Sequence, residues 1–93
     1  YIYVAHGTKK TNKSMEPFLV EFPIREAEDM VFMSHEGEEF LYVTEGSVEF
    51  RTVDRVEQLE PGDSIYFESD ISHSFRCISK SPAKALAVIW NKT

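Results

Sequence analysis

Two histidines and a glutamate, His35, Glu39 and His73, are the residues of this chain whose types and spacing suit metal chemistry. Imidazole nitrogens and a carboxylate oxygen bind divalent ions, and three such ligands leave coordination positions open to incoming molecules. The donor set suits non-haem iron and also accepts zinc, nickel or manganese. Residues 30–34 and 40–44, on either side of His35 and Glu39, are rich in strand formers. Alternate residues of a strand share a face. Met33 and His35 therefore project together, and Glu39 keeps that parity if Glu36-Gly37-Glu38 is a short bend. His73 is expected from a separate strand, with Phe75 and Cys77 on its face. The inward positions Met33, Leu41, Val43, Phe67, Phe75 and Cys77 are expected to line a ligand pocket. Ser72 and Ser74 flank His73 on the opposite strand face, so no Ser-His-Asp arrangement is expected.

Strand signals that would position these residues recur at short intervals. Strands are expected at 1–5, 18–22, 30–34, 39–45, 47–53, 55–59, 64–67, 73–78 and 83–90, about nine in all. The connection 23–29 holds at most one helical turn. Glu60-Pro61-Gly62-Asp63 fits a type II turn: proline sets the first central φ and glycine tolerates the positive φ after it. Many short strands with turn chemistry between them imply an all-β sandwich or barrel. The apolar first strand, Tyr1-Ile2-Tyr3-Val4, leaves a sheet edge that invites pairing. A homodimer burying N-terminal strand residues and Trp90 is expected.

Ninety-three residues make a single domain, 1–93. A net charge of −6 and a pI near 5.0 argue against a nucleic-acid surface on this domain. The single cysteine, Cys77, excludes an internal disulfide and fits a reducing compartment, so a cytoplasmic location is expected. No apolar run reaches the roughly 20 residues of a membrane span. Lys9, Lys10 and Lys13 form a local basic patch that would attract an anionic small-molecule ligand. His6 stands apart from the metal ligands. Glu36 and Glu38 are expected at the rim, and Arg51 and Arg76 in ion pairs with the abundant glutamates.

The segment 33–46 resembles the first sequence motif of the cupins, a histidine pair, a glutamate and a closing glycine. His35, Glu39 and Gly46 match it, while Met33 stands where the first histidine is usual and Ala27 where the opening glycine is. The segment 62–77 resembles the second motif. Gly62 and His73 match; Glu68, Asp70 and Cys77 replace its proline, second glycine and asparagine. The resemblance implies a double-stranded β-helix, or jelly-roll, cupin barrel with His35, Glu39 and His73 as ligands of a divalent metal. A narrower resemblance, through Met15-Glu16-Pro17-Phe18, 35–46 and 59–67, is to the C-terminal sensor domain of Xre/Cro-type helix-turn-helix regulators. It implies that the chain is the C-terminal part of a longer protein and senses a small molecule on behalf of a DNA-binding domain elsewhere in that protein. The alternative is a small metal-dependent enzyme: a dioxygenase, an epoxidase or an isomerase.

Overall fold

The computed structural model describes the strand at residues 2–5 by its backbone and residues 15–91 in full. His6, Lys9, Lys10 and Lys13 lie outside the described residues. Eight strands are found among the described residues: β1 (Ile2–Ala5), β2 (Met15–Phe22), β3 (Glu38–Glu45), β4 (Val48–Arg51), β5 (Val56–Leu59), β6 (Ser64–Glu68), β7 (Ser74–Cys77) and β8 (Ala83–Trp90). They form two antiparallel sheets, one in the order β1-β2-β8-β3-β6 and one in the order β5-β4-β7. A single 3-10 turn, Ala27–Asp29, lies in the connection after β2.

The alternation expected of half-buried strands is present. Leu41 and Val43 of β3, Ile65 and Phe67 of β6, and Ala83, Ala85 and Ala87 of β8 face one core. Phe50 and Val48 of β4 and Phe75 and Cys77 of β7 close it from the other sheet. Four rings meet at its centre. Phe50 lies 4.9 Å from Phe67 and 5.0 Å from Phe75, and Phe22 lies 5.4 Å from Phe75, centroid to centroid. These tilted pairings are favoured by ring electrostatics beyond their area burial.

From β3 onward the chain changes sheet at β3–β4, β5–β6, β6–β7 and β7–β8, so the sheet-to-sheet corners matter. At Gly46, φ is 73°, and the chain leaves β3 for β4. At Pro61-Gly62, φ of Gly62 is 94° and Asp63 N–H donates to the Glu60 carbonyl at 2.8 Å, closing the expected turn.

One expected strand is absent. Residues 30–34 form no ladder, and only Met33 pairs, in an isolated bridge with His73. Val31 and Phe32 are exposed at 62% and 45%. The segment meets a neighbouring backbone only through Met33, at the stretch just before β7. β-branched and aromatic residues without a ladder partner do not make a strand.

Candidate metal centre

His35 and Glu39 come from one stretch and His73 from another, and each is fixed by its backbone. His73 lies just before β7 and exchanges two hydrogen bonds with Met33, both 2.9 Å. His35 N–H donates to the Ser69 carbonyl at 2.9 Å, and Ser69 N–H donates to the Gly37 carbonyl at 2.9 Å. The end of β6 thereby clamps the bend that precedes β3. Gly37 makes that bend possible. Its φ is 104°, and a Cβ there would sit 2.1 Å from the Trp90 carbonyl oxygen. Glu39 then enters β3 facing inward, paired with Phe67 on one side and Ile89 on the other.

The three side chains converge. Their ligand atoms all lie within 4.8 Å of one another. His35 Nε2 is 3.4 Å and His73 Nε2 4.0 Å from Glu39 Oε1. Each imidazole is oriented by a carbonyl. His73 Nδ1 lies 2.7 Å from the Ile71 oxygen, and His35 Nδ1 lies 3.1 Å from the Glu36 oxygen. A carbonyl only accepts, so Nδ1 is the donor in both rings, and in the neutral imidazole Nε2 presents its lone pair. This is the support that metal-binding histidines receive from outside the coordination shell.

The electrostatics point the same way. Glu39 and His73 are 4% and 0% exposed, while His35 stays a third open to solvent. Burial pushes the Glu39 carboxyl above its ordinary value, against the pull of nearby His35. Burial also holds the His73 imidazole below its ordinary value, against the Ile71 carbonyl that favours the charged form. Glu39 Oε1 and His73 Nε2 are buried without a hydrogen-bond partner among the described residues. Buried polar atoms are normally satisfied. Two orphaned acceptors aimed at one point, with a third lone pair beside them, fit a divalent cation. The donor set is that of a two-histidine, one-carboxylate centre.

The hydrophobic core forms one wall. The His73 ring lies 4.7 Å from Phe67 and 6.1 Å from Phe75. Of the expected pocket residues, Leu41, Val43, Phe67 and Cys77 are buried in the core cluster. Met33 and Phe75 line a cavity of about 240 Å³ together with Pro23, Arg25 and Val31. Cys77 Sγ lies 3.1 Å from the Ser81 carbonyl, far along β7 from the ligands. Glu36 lines a shallow acidic depression with Gly37, Glu68 and Asp70. Arg51 and Arg76 both pair with Glu49.

Sequence reasoning missed Ser69, whose buried Oγ also lacks a partner among the described residues. Its signal was parity: Ile65, Phe67 and Ser69 alternate inward. Arg25, which lines the cavity, sits in a connection with no periodicity to place it.

The cupin domain family matches residues 18–89. No curated protein matches by sequence. The chain is similar to solved structures of HppE. The Fe(II) form in complex with substrate aligns at 29% identity with a TM-score of 0.86, over 97% of this chain and 53% of that one. The Co(II) form with Tris buffer aligns at 29% identity with a TM-score of 0.84, over 96% and 52%. Hydroxypropylphosphonic acid epoxidase from S. wedmorenis in complex with fosfomycin aligns at 26% identity with a TM-score of 0.79, over 95% and 49%. The chain thus spans about half the length of these relatives.

Proposed function

The chain belongs to the cupin domain family, and from that premise we propose that it is the metal-bearing domain of an oxidative enzyme using ferrous iron. The observation that carries this is the convergence of His35, Glu39 and His73, with two buried acceptors left unpaired between them. The solved neighbours that hold Fe(II) or Co(II) add support. They favour the enzyme over the sensor expected from sequence, since none of the neighbours named above is a regulator.

When bound, ferrous iron would supply activation of dioxygen at the coordination positions the three residues leave open. The chain's own residues do the rest. Glu39 offers a carboxylate whose burial is offset by a nearby cation. Ile71 and Glu36 carbonyls hold each histidine with Nε2 inward. Phe67 and Phe75 keep water from the His73 side. His35, a third exposed, leaves the centre open to solvent on its side. Because a named neighbour acts on a phosphonic acid, the substrate we propose is a small organic anion.

The test uses protein purified without chelator, with elemental analysis of the wild type, His73→Ala and Glu39→Ala. A divalent ion in stoichiometric amount in the wild type and its loss in both variants is the expected result. Oxygen uptake by the Fe(II)-loaded protein with small organic anions, absent in the variants, completes it. Equal metal content in all three proteins would refute the centre. Metal bound without oxygen uptake, and a ligand recovered unchanged, would return the sensor.

A further inference from the structure

We propose that Arg25 is the anion-recognising residue of a substrate pocket beside the metal centre, one that takes a molecule with an oxyanion head and a short apolar body. This rests on the enzyme reading above for what happens to the molecule, though the binding itself does not depend on metal.

The pocket is built by the connection between β2 and β3. That connection is tied to β7 at two places. Near its start, Ile24 bridges Cys77, and Cys77 N–H donates to the Pro23 carbonyl at 3.4 Å. Near its end, Met33 bridges His73. Between the two ties the chain arches away from β7 through the 3-10 turn. Phe75 lies midway between Cys77 and His73 on the inward face of β7. The cavity of about 240 Å³ lies against it, lined by Pro23, Arg25, Val31, Met33 and Phe75. Both ends of the arch and the strand beneath it therefore contribute walls. At roughly 240 Å³ the space suits a molecule of a few heavy atoms, just below the usual range for drug-sized ligands.

Its chemistry is asymmetric. Four of the five lining residues are apolar, and the fifth carries a guanidinium. An arginine in an otherwise apolar wall recognises a carboxylate, phosphonate or phosphate through a two-pronged, charge-assisted hydrogen bond. The Arg25 backbone is held in place by a separate ion pair. Arg76 Nη1 donates to the Arg25 carbonyl at 3.0 Å, while the same guanidinium binds Glu49 at 2.9 Å. Such support is what a binding residue requires for a fixed geometry.

None of the three ligands lines the pocket, but two of its walls reach His73. Phe75 lines it, and its ring is 6.1 Å from the ring of His73. Met33 lines it, and its backbone is doubly bonded to His73. A small molecule with its anion at Arg25 would lie along Phe75 and Met33 with its far end toward His73. Val31, exposed on the arch, forms the outer lip.

The experiment is calorimetric titration of 3-methylbutanoate and of propylphosphonate, each into protein freed of metal by chelator. The neutral isostere 3-methylbutanamide serves as control, and Arg25→Gln and Arg25→Lys as variants. The expected result is binding of at least one oxyanion probe, weakened about tenfold or more in Arg25→Gln, with part retained in Arg25→Lys and little binding of the amide. Whichever probe binds more tightly identifies the head group as carboxylate or phosphonate. Metal content of Arg25→Gln is measured in parallel and is expected to equal the wild type. Equal affinity in wild type and Arg25→Gln, equal affinity for the amide, or binding seen only in metal-loaded protein would overturn the proposal. Loss of metal binding by the wild type, with Arg25-dependent anion binding kept, would sink the enzyme reading and leave this one standing.

Discussion

Gly37 and Gly62 both hold a positive φ, of 104° and 94°, yet their neighbourhoods differ. A side chain at Gly62 would meet nothing within 4 Å, whereas one at Gly37 would strike the backbone of Trp90. Gly62→Ala is expected to cost only the backbone penalty, about 1–2 kcal/mol. Gly37→Ala is expected to cost more, about 3 kcal/mol or above, because strain and a backbone clash add. It should also lower metal content, since His35 and Glu39 flank the bend. Urea denaturation of both variants and elemental analysis check this. Equal losses of stability would show that the clash is relieved at little cost. The same bend shows how far sequence carried the site. His35, Glu39 and His73 were legible because a two-residue period and motif spacing put them on inward faces. The orienting carbonyls of Ile71 and Glu36 were not, because any residue type supplies a carbonyl. Arg25 was hidden because its place depends on tertiary ties to β7.

At the scale of elements, eight of the nine expected strands reappear, β8 with the expected bounds and the other seven with ends moved by one to three residues; β2 begins three residues earlier than expected, at Met15. Pattern alone set these because each has a ladder partner. The run 30–34 has strand composition and no partner, so composition misled. The β4–β7 pair carries a feature that alternation also concealed. Glu49 faces away from the core, yet it is only 9% exposed, held between Arg76 and Arg51. Hydrogen bonds from Arg76 first, then from Arg51, hold its carboxyl below the usual value of 4.5. The folded value lies below the unfolded one, so the ion pair's stabilisation is complete above pH 4.5 and fades as pH falls through the folded value. Glu49→Gln is expected to lower stability at neutral pH by about 2–3 kcal/mol, discounted because Arg51 is partly exposed. It should also flatten the stability profile just below pH 4.5. Denaturant midpoints measured from pH 7 down to pH 3 test both. A parallel offset between the two profiles would contradict the ionic account. Loosening of the Arg25 carbonyl is a further expected result, since the same Arg76 holds it.

For the whole molecule, the outer face of the five-stranded sheet is unusually apolar. Met15, Leu19, Phe40, Tyr42 and Tyr66 are exposed there. The register sets Leu19 beside Leu86 and Leu86 beside Tyr42, and sets Pro17, Val88, Phe40 and Tyr66 in the next outward row. Contiguous apolar surface of this kind marks an interface. A homodimer joined through this face, which includes Trp90, is the expected outcome. Sedimentation should show a dimer for the wild type and a monomer for Phe40→Glu; a monomeric wild type at high concentration would count against it. Among the described residues, no helix is long and apolar enough to cross a membrane.

The three candidate metal ligands straddle a seam. Glu39 belongs to a strand of the larger sheet, His73 leads into an edge strand of the smaller one, and His35 hangs from the end of β6. No two of them are brought close by local chain geometry except His35 and Glu39. The centre therefore comes into being only when the sheets close on each other. A half-folded chain would offer a cation little more than a loose histidine and glutamate. Once closed, a cation held across the seam acts as a clasp: the sheets cannot part without releasing it. To the extent that this closure follows the folding barrier, metal lengthens the lifetime of the folded state and leaves the speed of its formation unchanged.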